Sequence, residues 1–228
     1  NMNDIIKIEN LKRVFKSGDA EIIAVNDLTF SVPEGQFMAI TGKSGSGKST
    51  LLYQLGLLDH PTSGNITIAG ISVEKLRSDD RTNFRLNFLG YVFQDYAVLP
   101  SLTAEENVMV PLLMQGMSVV DAREKTDRAL EKVGLLHRKG NTPSQLSGGE
   151  QQRVSIARAI VHNPKILFAD EPTANLDTET SKSILDAFLE LNRQGQTIIM
   201  VTHEEEYARL AHRIINLADG KIIKDTTK

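Results

Sequence analysis

Short apolar runs bounded by turn-forming residues recur along the chain and predict five buried strands. The predicted strands are residues 36–41, 89–93, 166–169, 197–201 and 213–217. Between most of them, apolar residues recur at the three-to-four spacing of an amphipathic helix. The predicted helices begin within residues 47–58, follow Ser118 up to a cap at Gly134, and cover 150–161, 178–192 and 204–211, with Asp177 as an N-cap. This alternation predicts an α/β fold with a mostly parallel sheet covered on both faces.

Three segments depart from that alternation. Polar and apolar residues alternate through Leu28, Phe30 and Val32, and again in residues 65–68, which predicts a small antiparallel sheet. Residues 218–220 (Ala-Asp-Gly) predict a tight hairpin near the C-terminus. The stretch from about residue 95 to 146 is mainly helical in pattern, and we interpret it as a helical subdomain inserted into one domain spanning residues 1–228. The breaks within it are Pro100, Pro111, Gly140 and Pro143.

Composition excludes several classes of protein. The 228 residues are 40% hydrophobic and 24% charged, which suits a globular chain with a sizeable core. A net charge of −3 provides no overall attraction to nucleic acid or to anionic membranes. Without cysteine there is no disulfide, thiolate metal site or cysteine nucleophile. No apolar run approaches the ~20 residues that span a bilayer, and the first residues do not resemble a secretion signal, so we expect a soluble chain that is not secreted.

A glycine-rich loop at residues 42–49 carries the clearest chemistry. Its sequence, GKSGSGKS, fits the phosphate-loop pattern and lies between a predicted strand and a predicted helix. Glycines turn backbone N–H groups toward phosphate oxygens, Lys48 adds a full positive charge, and the Ser49 hydroxyl can bind Mg²⁺. The alternative, a flexible glycine and serine loop, is disfavoured by that position. The residues expected to contact phosphate are Gly42, Lys43, Ser44, Gly45, Ser46, Gly47, Lys48, Ser49 and Thr50.

Candidate polar residues also follow three other predicted strands. Asp170 and Glu171 end one of them, so Asp170 can hold the water shell of a metal while Glu171, pointing elsewhere, acts on water as a base. Gln94 and His203 follow two more strands. Ligands of open parallel sheets bind at the carboxyl ends of strands, where all of these residues fall. Taken singly, they also suit a helix N-cap pair, a loop amide and a surface histidine.

A second glycine-rich helix start lies at residues 146–151. Ser147 and the N–H groups after it could bind another anion at the positive end of a helix dipole. The alternative is a capping box, in which Ser147 and Glu150 satisfy each other's backbone N–H groups.

In combination, these motifs resemble the ATP-binding-cassette family along essentially the whole chain. Residues 42–49 resemble the Walker A loop, 146–151 the LSGGQ-type signature, 166–171 Walker B and 174–177 the D-loop, while Gln94 is similar to the Q-loop glutamine and His203 to the switch histidine. The local sequence resembles the subgroup for lipoprotein release, macrolide or peptide efflux, and cell division. Lys43 stands where this subgroup usually has proline, and Glu150 replaces the usual glutamine of the signature.

The resemblance implies a P-loop NTPase core that binds and hydrolyses ATP with Mg²⁺. It implies that Ser49, Gln94 and Asp170 organise the metal, that Lys48 offsets phosphoryl charge, and that Glu171 and His203 act on the attacking water and the γ-phosphate. Phe15 takes the position of the aromatic residue that stacks on adenine, although a buried core residue is the alternative. The remaining residues implied to bind the nucleotide of a partner protomer are Ser147, Gly148, Gly149, Glu150 and Asp177.

The implied assembly is a head-to-tail dimer that ATP closes and hydrolysis loosens. The resemblance also implies an integral-membrane permease that docks near residues 96–117, peripheral attachment to the cytoplasmic face of the cell membrane without insertion, and no nucleic-acid partner. We expect an ATPase subunit for export or extraction. The alternatives are an ATPase that drives a non-transporting cell-division or cell-wall complex, and a DNA-repair or chromosome ATPase, which would carry a long coiled-coil insertion or a basic run.

Overall fold

The computed structural model describes residues 3–18 and 20–228 and divides them into two units. The first unit comprises the described residues up to Asn83 together with Asn192–Lys228, and the second is Phe84–Leu191. Helices α2 (Ser78–Phe88) and α6 (Thr178–Arg193) each contain one of the two points of division. Residues 1 and 2, on which the expectation of no secretion signal partly rests, lie outside the described residues.

An antiparallel sheet forms part of the first unit and confirms the prediction from alternating residues. Strand β1 (Asp4–Ser17) pairs with β2 (Ala20–Pro33) on one side and with β4 (Ser63–Ile68) on the other, and β5 (Ile71–Ser72) follows at the edge. Strand β1 was not predicted. Its pairing with β2 shifts register between Ile8 and Leu11, where β1 takes three steps against two in β2, and this bulge breaks the two-residue period by which a strand is recognised.

Four further strands of the first unit lie in the order β10-β9-β3-β8. Strand β3 (Phe37–Gly42) is parallel to β8 (Thr197–Val201) and β9 (Arg213–Ala218), and β10 (Lys221–Thr227) returns antiparallel to β9. All of β8 is buried, as expected for a parallel strand covered on both faces. Asp219 and Gly220 have φ angles of 49° and 73°, which suit the predicted tight hairpin.

Helices α1 (Lys48–Leu55) and α7 (Glu205–Ala208) also belong to the first unit. The prediction of a helix over 204–211 was wrong beyond Ala208. The N–H groups of Leu210 and Ala211 bond three residues back, to Tyr207 and Ala208, so the chain tightens into turns instead of continuing an α-helix.

The second unit contains a parallel strand pair and three complete helices. Strands β6 (Leu89–Val92) and β7 (Ile166–Asp170) pair in parallel, and the helices are α3 (Ala104–Met114), α4 (Val119–Lys132) and α5 (Gly148–Ile160). Helical structure between residues 95 and 146 is confirmed, but Pro111 does not break it, because Pro111 lies inside α3. Helix α2 was not predicted, since its sequence is mostly polar and has a single pair of apolar residues at helical spacing, Phe84 and Phe88.

The helix ends follow their capping residues. Ser118 accepts a hydrogen bond from the N–H of Asp121 at 3.2 Å, and Gly134, with φ of 73°, ends α4 as predicted. There the N–H of Leu135 bonds to the carbonyl of Leu130 at 2.8 Å, the closing bond of a Schellman motif. Local signals therefore set these boundaries.

His162, just after α5, is expected to make the free energy of unfolding depend on pH. Its Nε2 atom lies 3.1 Å from the carbonyl oxygen of Leu89, and burial lowers its pKa below the ordinary value of 6.5, outweighing that hydrogen bond. The unfolded chain then binds a proton more readily than the folded protein. As pH falls below about 6.5 and through the folded pKa, the free energy of unfolding should decrease, by at most about 1.4 kcal/mol per pH unit for one proton.

Urea denaturation at several pH values between 5 and 8 measures this dependence. His162→Gln should flatten the curve, while His137→Gln, at an exposed position, should leave it unchanged. Equal slopes for the wild type and His162→Gln would contradict the assignment.

Candidate functional site

The glycine-rich loop joins β3 to α1. At two positions its backbone conformation and close neighbours allow only glycine. Gly42 and Gly47 have φ angles of 147° and 98°. A Cβ atom at Gly42 would collide with the carbonyl oxygen of Leu217, and one at Gly47 with that of Ala24. The backbone is therefore held in the positive-φ form that turns successive N–H groups inward in phosphate loops.

Lys48 and Ser46 supply the polar side chains of the loop interior. The Lys48 ammonium donates hydrogen bonds to the carbonyl oxygens of Gly42 at 2.9 Å and Lys43 at 3.0 Å, and only 8% of the residue is exposed. The Ser46 hydroxyl is buried and has no hydrogen-bond partner among the described residues. A buried donor without a partner is costly unless a ligand satisfies it, so the loop fits an anionic group rich in oxygen.

A cleft of about 780 Å³ opens beside this loop, and His203 lies on its wall. The parallel pairing of β3 with β8 brings Gly42 and His203 to the same end of the sheet, as predicted from their positions after strands. The Nε2 atom of His203 lies 3.3 Å from a carboxylate oxygen of Glu204. The cleft residues are Thr41, Gly42, Lys43, Ser44, Gly45, Ser46, His203, Glu205, Asn216, Leu217, Ala218, Asp219 and Ile223.

The C-terminal hairpin supports the loop, which the sequence did not predict. The N–H of Gly220 donates to the carbonyl oxygen of Ser46 at 3.1 Å, and the carbonyl oxygen of Gly220 accepts from the N–H of Asn26 at 2.9 Å. The sequence signal for a hairpin was read correctly, but nothing in it indicates which distant loop the hairpin contacts.

In the second unit, β7 delivers Asp170 and Glu171. Asp170 is the last residue of the strand and 5% exposed, whereas Glu171 lies beyond it with φ of 46°. Strand alternation therefore does not set the direction of Glu171, because a left-handed residue turns the chain there, at a cost of about 1–2 kcal/mol. The N-cap alternative is not supported for this pair, since Asp177, not Asp170 or Glu171, caps the next helix, α6.

Gln94 lies two residues beyond the end of β6, and the parallel pairing of β6 with β7 places it at the same end as Asp170. The backbone carbonyl oxygen of Gln94 accepts a hydrogen bond from the side-chain amide of Asn175 at 3.3 Å. This contact joins the segment after β6 to the segment that precedes α6. Asn175 belongs to residues 174–177, and nothing in the sequence indicates this contact with Gln94.

Ser147 begins α5, and the capping-box alternative is present. The Ser147 hydroxyl accepts from the N–H of Glu150 at 3.3 Å, and the Glu150 carboxylate accepts from the N–H of Ser147 at 2.8 Å. That backbone hydrogen bond is the main cause of the lowered pKa of Glu150. Arg138, 3.2 Å from Glu150, offsets the charge that this carboxylate adds beside the helix start. The cap leaves Ser147 exposed, so it does not preclude a ligand.

Two other predicted residues have clear surroundings. Asp177 caps α6: its carboxylate accepts from the N–H of Thr180 at 2.9 Å and from the Thr180 hydroxyl at 2.6 Å, and the hydroxyl bond is the main cause of its lowered pKa. Phe15, on β1, is 41% exposed, which argues against a core role. The roles of these and the other predicted residues toward a nucleotide stay predictions.

Comparison with known proteins identifies the class. A profile of the ABC transporter family matches residues 25–174, which is more than half of the chain. The chain belongs to this family, as an ATP-binding and ATP-hydrolysing cassette. Among the described residues, no helix combines the length and apolar character needed to cross a membrane.

Individual relatives resemble the chain over nearly all of its length. It is 44% identical to the lipoprotein-releasing system ATP-binding protein LolD of Aquifex aeolicus, covering 100% of both chains. It is 43% identical to the macrolide export ATP-binding/permease protein MacB of Neisseria gonorrhoeae, covering 98% of this chain but 35% of MacB. The chain thus spans about a third of the length of the MacB relatives.

The fold agrees with solved cassettes. A dimeric, post-hydrolysis structure of the ATP-binding cassette MJ0796 bound to ADP and Pi has a TM-score of 0.91 and 39% identity, covering 97% of this chain and 98% of that one. The P-loop NTPase core and the N-terminal antiparallel sheet of this chain are therefore those of an ABC cassette.

Proposed function

We propose that this chain is the ATPase subunit of a membrane transporter that exports or extracts its substrate. The observation that carries the proposal is the 44% identity to LolD over the full length of both chains. The names of the two relatives give lipoprotein release and macrolide export as their activities, and both are the release or export of a substrate. The name of the MacB relative joins an ATP-binding part to a permease, which supports an integral-membrane partner for such work.

In this proposal the glycine-rich loop holds the ATP phosphates and Lys48 offsets their charge. The buried, unsatisfied Ser46 hydroxyl and the glycine-restricted backbone support this role. Ser49, Gln94 and Asp170 would hold Mg²⁺, which when bound neutralises phosphate charge. Hydroxyl, amide and carboxylate oxygens are ligands that suit Mg²⁺.

Hydrolysis is assigned to Glu171 and His203. Glu171 accepts the proton of the attacking water or orients that water, and His203 contacts the γ-phosphate. The exposure of His203 on the cleft beside the phosphate loop supports its role. The left-handed backbone at Glu171 supports the role of Glu171, because backbone strain of this kind is frequent at functional sites.

We propose further that two copies form a head-to-tail dimer around two ATP molecules. Ser147, Gly148, Gly149 and Glu150 of one copy, with Asp177, would contact the nucleotide held by the phosphate loop of the other. The exposed N-cap hydroxyl of Ser147 at the start of a 13-residue helix supports this arrangement. Loss of the γ-phosphate removes these contacts and opens the dimer.

The permease would dock on the helical part of the second unit, which fixes the subunit at the cytoplasmic face of the membrane. The apolar side chains of Leu99, Leu113 and Met114 are 45%, 42% and 64% exposed there. Leu113 and Met114 are adjacent in sequence, and exposed apolar side chains of this kind suit contact with a partner protein.

Co-purification of Glu171→Gln with ATP from detergent-solubilised membranes, followed by mass spectrometry, tests the proposal. We expect a permease, lost when Met114→Glu is added but retained with Leu136→Glu, which alters an exposed apolar residue elsewhere in the second unit. Recovery of a cell-wall-hydrolase regulator would favour the non-transporting alternative. Nucleic-acid proteins without any membrane protein would overturn the proposal.

Phe15→Trp tests the base-binding role of Phe15. The chain contains no tryptophan, so this variant carries a single indole fluorophore at the exposed position on β1. If the base stacks there, ATP should quench the emission, while tripolyphosphate, which has no base, should not. Equal responses to ATP and tripolyphosphate would contradict stacking.

A further inference from the structure

Arg13 covers one side of Phe15. The guanidinium carbon of Arg13 lies 4.4 Å from the centre of the Phe15 ring, within the range of a cation–π contact. The two residues are on the same face of β1, two positions apart. Phe15 nevertheless remains 41% exposed, so the ring is backed by Arg13 and still open to solvent.

The Arg13 side chain is held in place from the other direction. Its Nη2 atom donates to the Asp59 carboxylate at 2.8 Å, and both side chains are about three-quarters buried. The segment after Asp59 is itself fixed to β1, since Thr62 accepts from the N–H of Val14 at 2.9 Å. The Nε atom of Arg13 is buried without a hydrogen-bond partner among the described residues. The guanidinium is thus anchored at one end and stacked on the ring at the other.

We propose that Arg13, anchored by Asp59, is a positioning residue that fixes the Phe15 ring so that its open side receives the purine base of the nucleotide. This inference rests on the proposed function, because it requires that Phe15 be the base platform. A fixed ring loses less side-chain entropy when a base stacks on it. The cation on its far side also draws electron density from the ring, which favours stacking against an electron-rich purine.

The charge and packing of Arg13 can be separated by substitution. Arg13→Met keeps an unbranched chain over the ring without charge, and Arg13→Lys restores the cation. Lys7→Met removes the same charge elsewhere on β1, where Lys7 pairs with Asp4. Titration calorimetry of each full-length variant with ATP and with tripolyphosphate measures binding with and without a base.

Arg13→Met should raise the Kd for ATP about threefold and leave that for tripolyphosphate unchanged. Arg13→Lys should recover most of the loss, Lys7→Met should have no effect, and the KM for ATP should rise in Arg13→Met while kcat stays constant. In a Phe15→Ala background, Arg13→Met should change nothing further. An unchanged tripolyphosphate affinity also shows that the variant is folded.

The possible failures are distinguishable. Equal weakening of ATP and tripolyphosphate, or the same threefold effect without the Phe15 ring, would overturn the positioning role of Arg13. An unchanged Kd for ATP in Phe15→Ala would overturn it too, while leaving the ATPase assignment intact. A wild-type chain that binds neither ligand would overturn both.

Discussion

Replacing Glu171 by Gln is expected to reduce the ATP turnover number by about 10²- to 10⁴-fold, the usual contribution of a positioned general base. Glutamine keeps the size of the side chain but cannot accept the proton of the attacking water. ATP binding should be preserved, because the phosphate loop is unchanged. The variant should therefore accumulate as an ATP-bound dimer, and size-exclusion chromatography with light scattering should show the dimer with ATP and not with ADP.

The matched control for this change is Glu179→Gln. Glu179 lies in the first turn of α6, is exposed, and loses the same charge on substitution. Its turnover number should equal that of the wild type. If Glu171→Gln hydrolyses ATP within a factor of about two of the wild type, the residue is not the base, whatever the state of the dimer.

Lys48→Ala should strongly weaken the binding of ATP. The ammonium is almost fully buried against the carbonyl oxygens of Gly42 and Lys43, so it is already aimed into the loop where the phosphates would lie. Loss of charge-assisted hydrogen bonds, worth about 1.5–3 kcal/mol each, should raise the Kd for ATP by about a hundredfold or more.

Titration calorimetry with ATP measures this effect. Lys75→Ala removes an exposed lysine from the same unit and should leave the Kd unchanged. Wild-type affinity in Lys48→Ala, with an unchanged melting temperature, would count against the phosphate-loop assignment. Since the binding of tripolyphosphate also depends on the loop, Lys48→Ala should weaken that binding as well, whereas Arg13→Met should not.

Those parts of the fold that depend on neighbouring residues were predictable. The strand Thr197–Val201 was predicted with its observed bounds, and the caps at Gly134 and Asp177 were read from residue type. The bounds of the other four predicted strands differ from the observed ones by one residue at one or both ends. Apolar period and capping chemistry act over a few residues, so the sequence displays them directly.

Errors occurred where strand pairing, or a second local signal, overrides the pattern of apolar residues. Strand β1 escaped prediction because its register shifts against β2 interrupt the alternation of side chains. Pro111 was interpreted as a break but lies within α3, which is begun by the capping box of Thr103 with Glu106. The helix after β8 ends early in turns at Leu210 and Ala211, which the local pattern did not indicate.

The sequence alone determined the order of the motifs along the chain. It also determined the glycines of the phosphate loop and the caps of α5 and α6. Only the tertiary structure decided that Gly220 donates to the carbonyl oxygen of Ser46, that Glu171 takes a left-handed conformation, and that Arg13 backs the Phe15 ring. The physical reason is separation along the chain. Gly220 and Ser46 lie far apart in sequence, and Arg13 is fixed by Asp59, so these arrangements exist only after the chain has folded and packed.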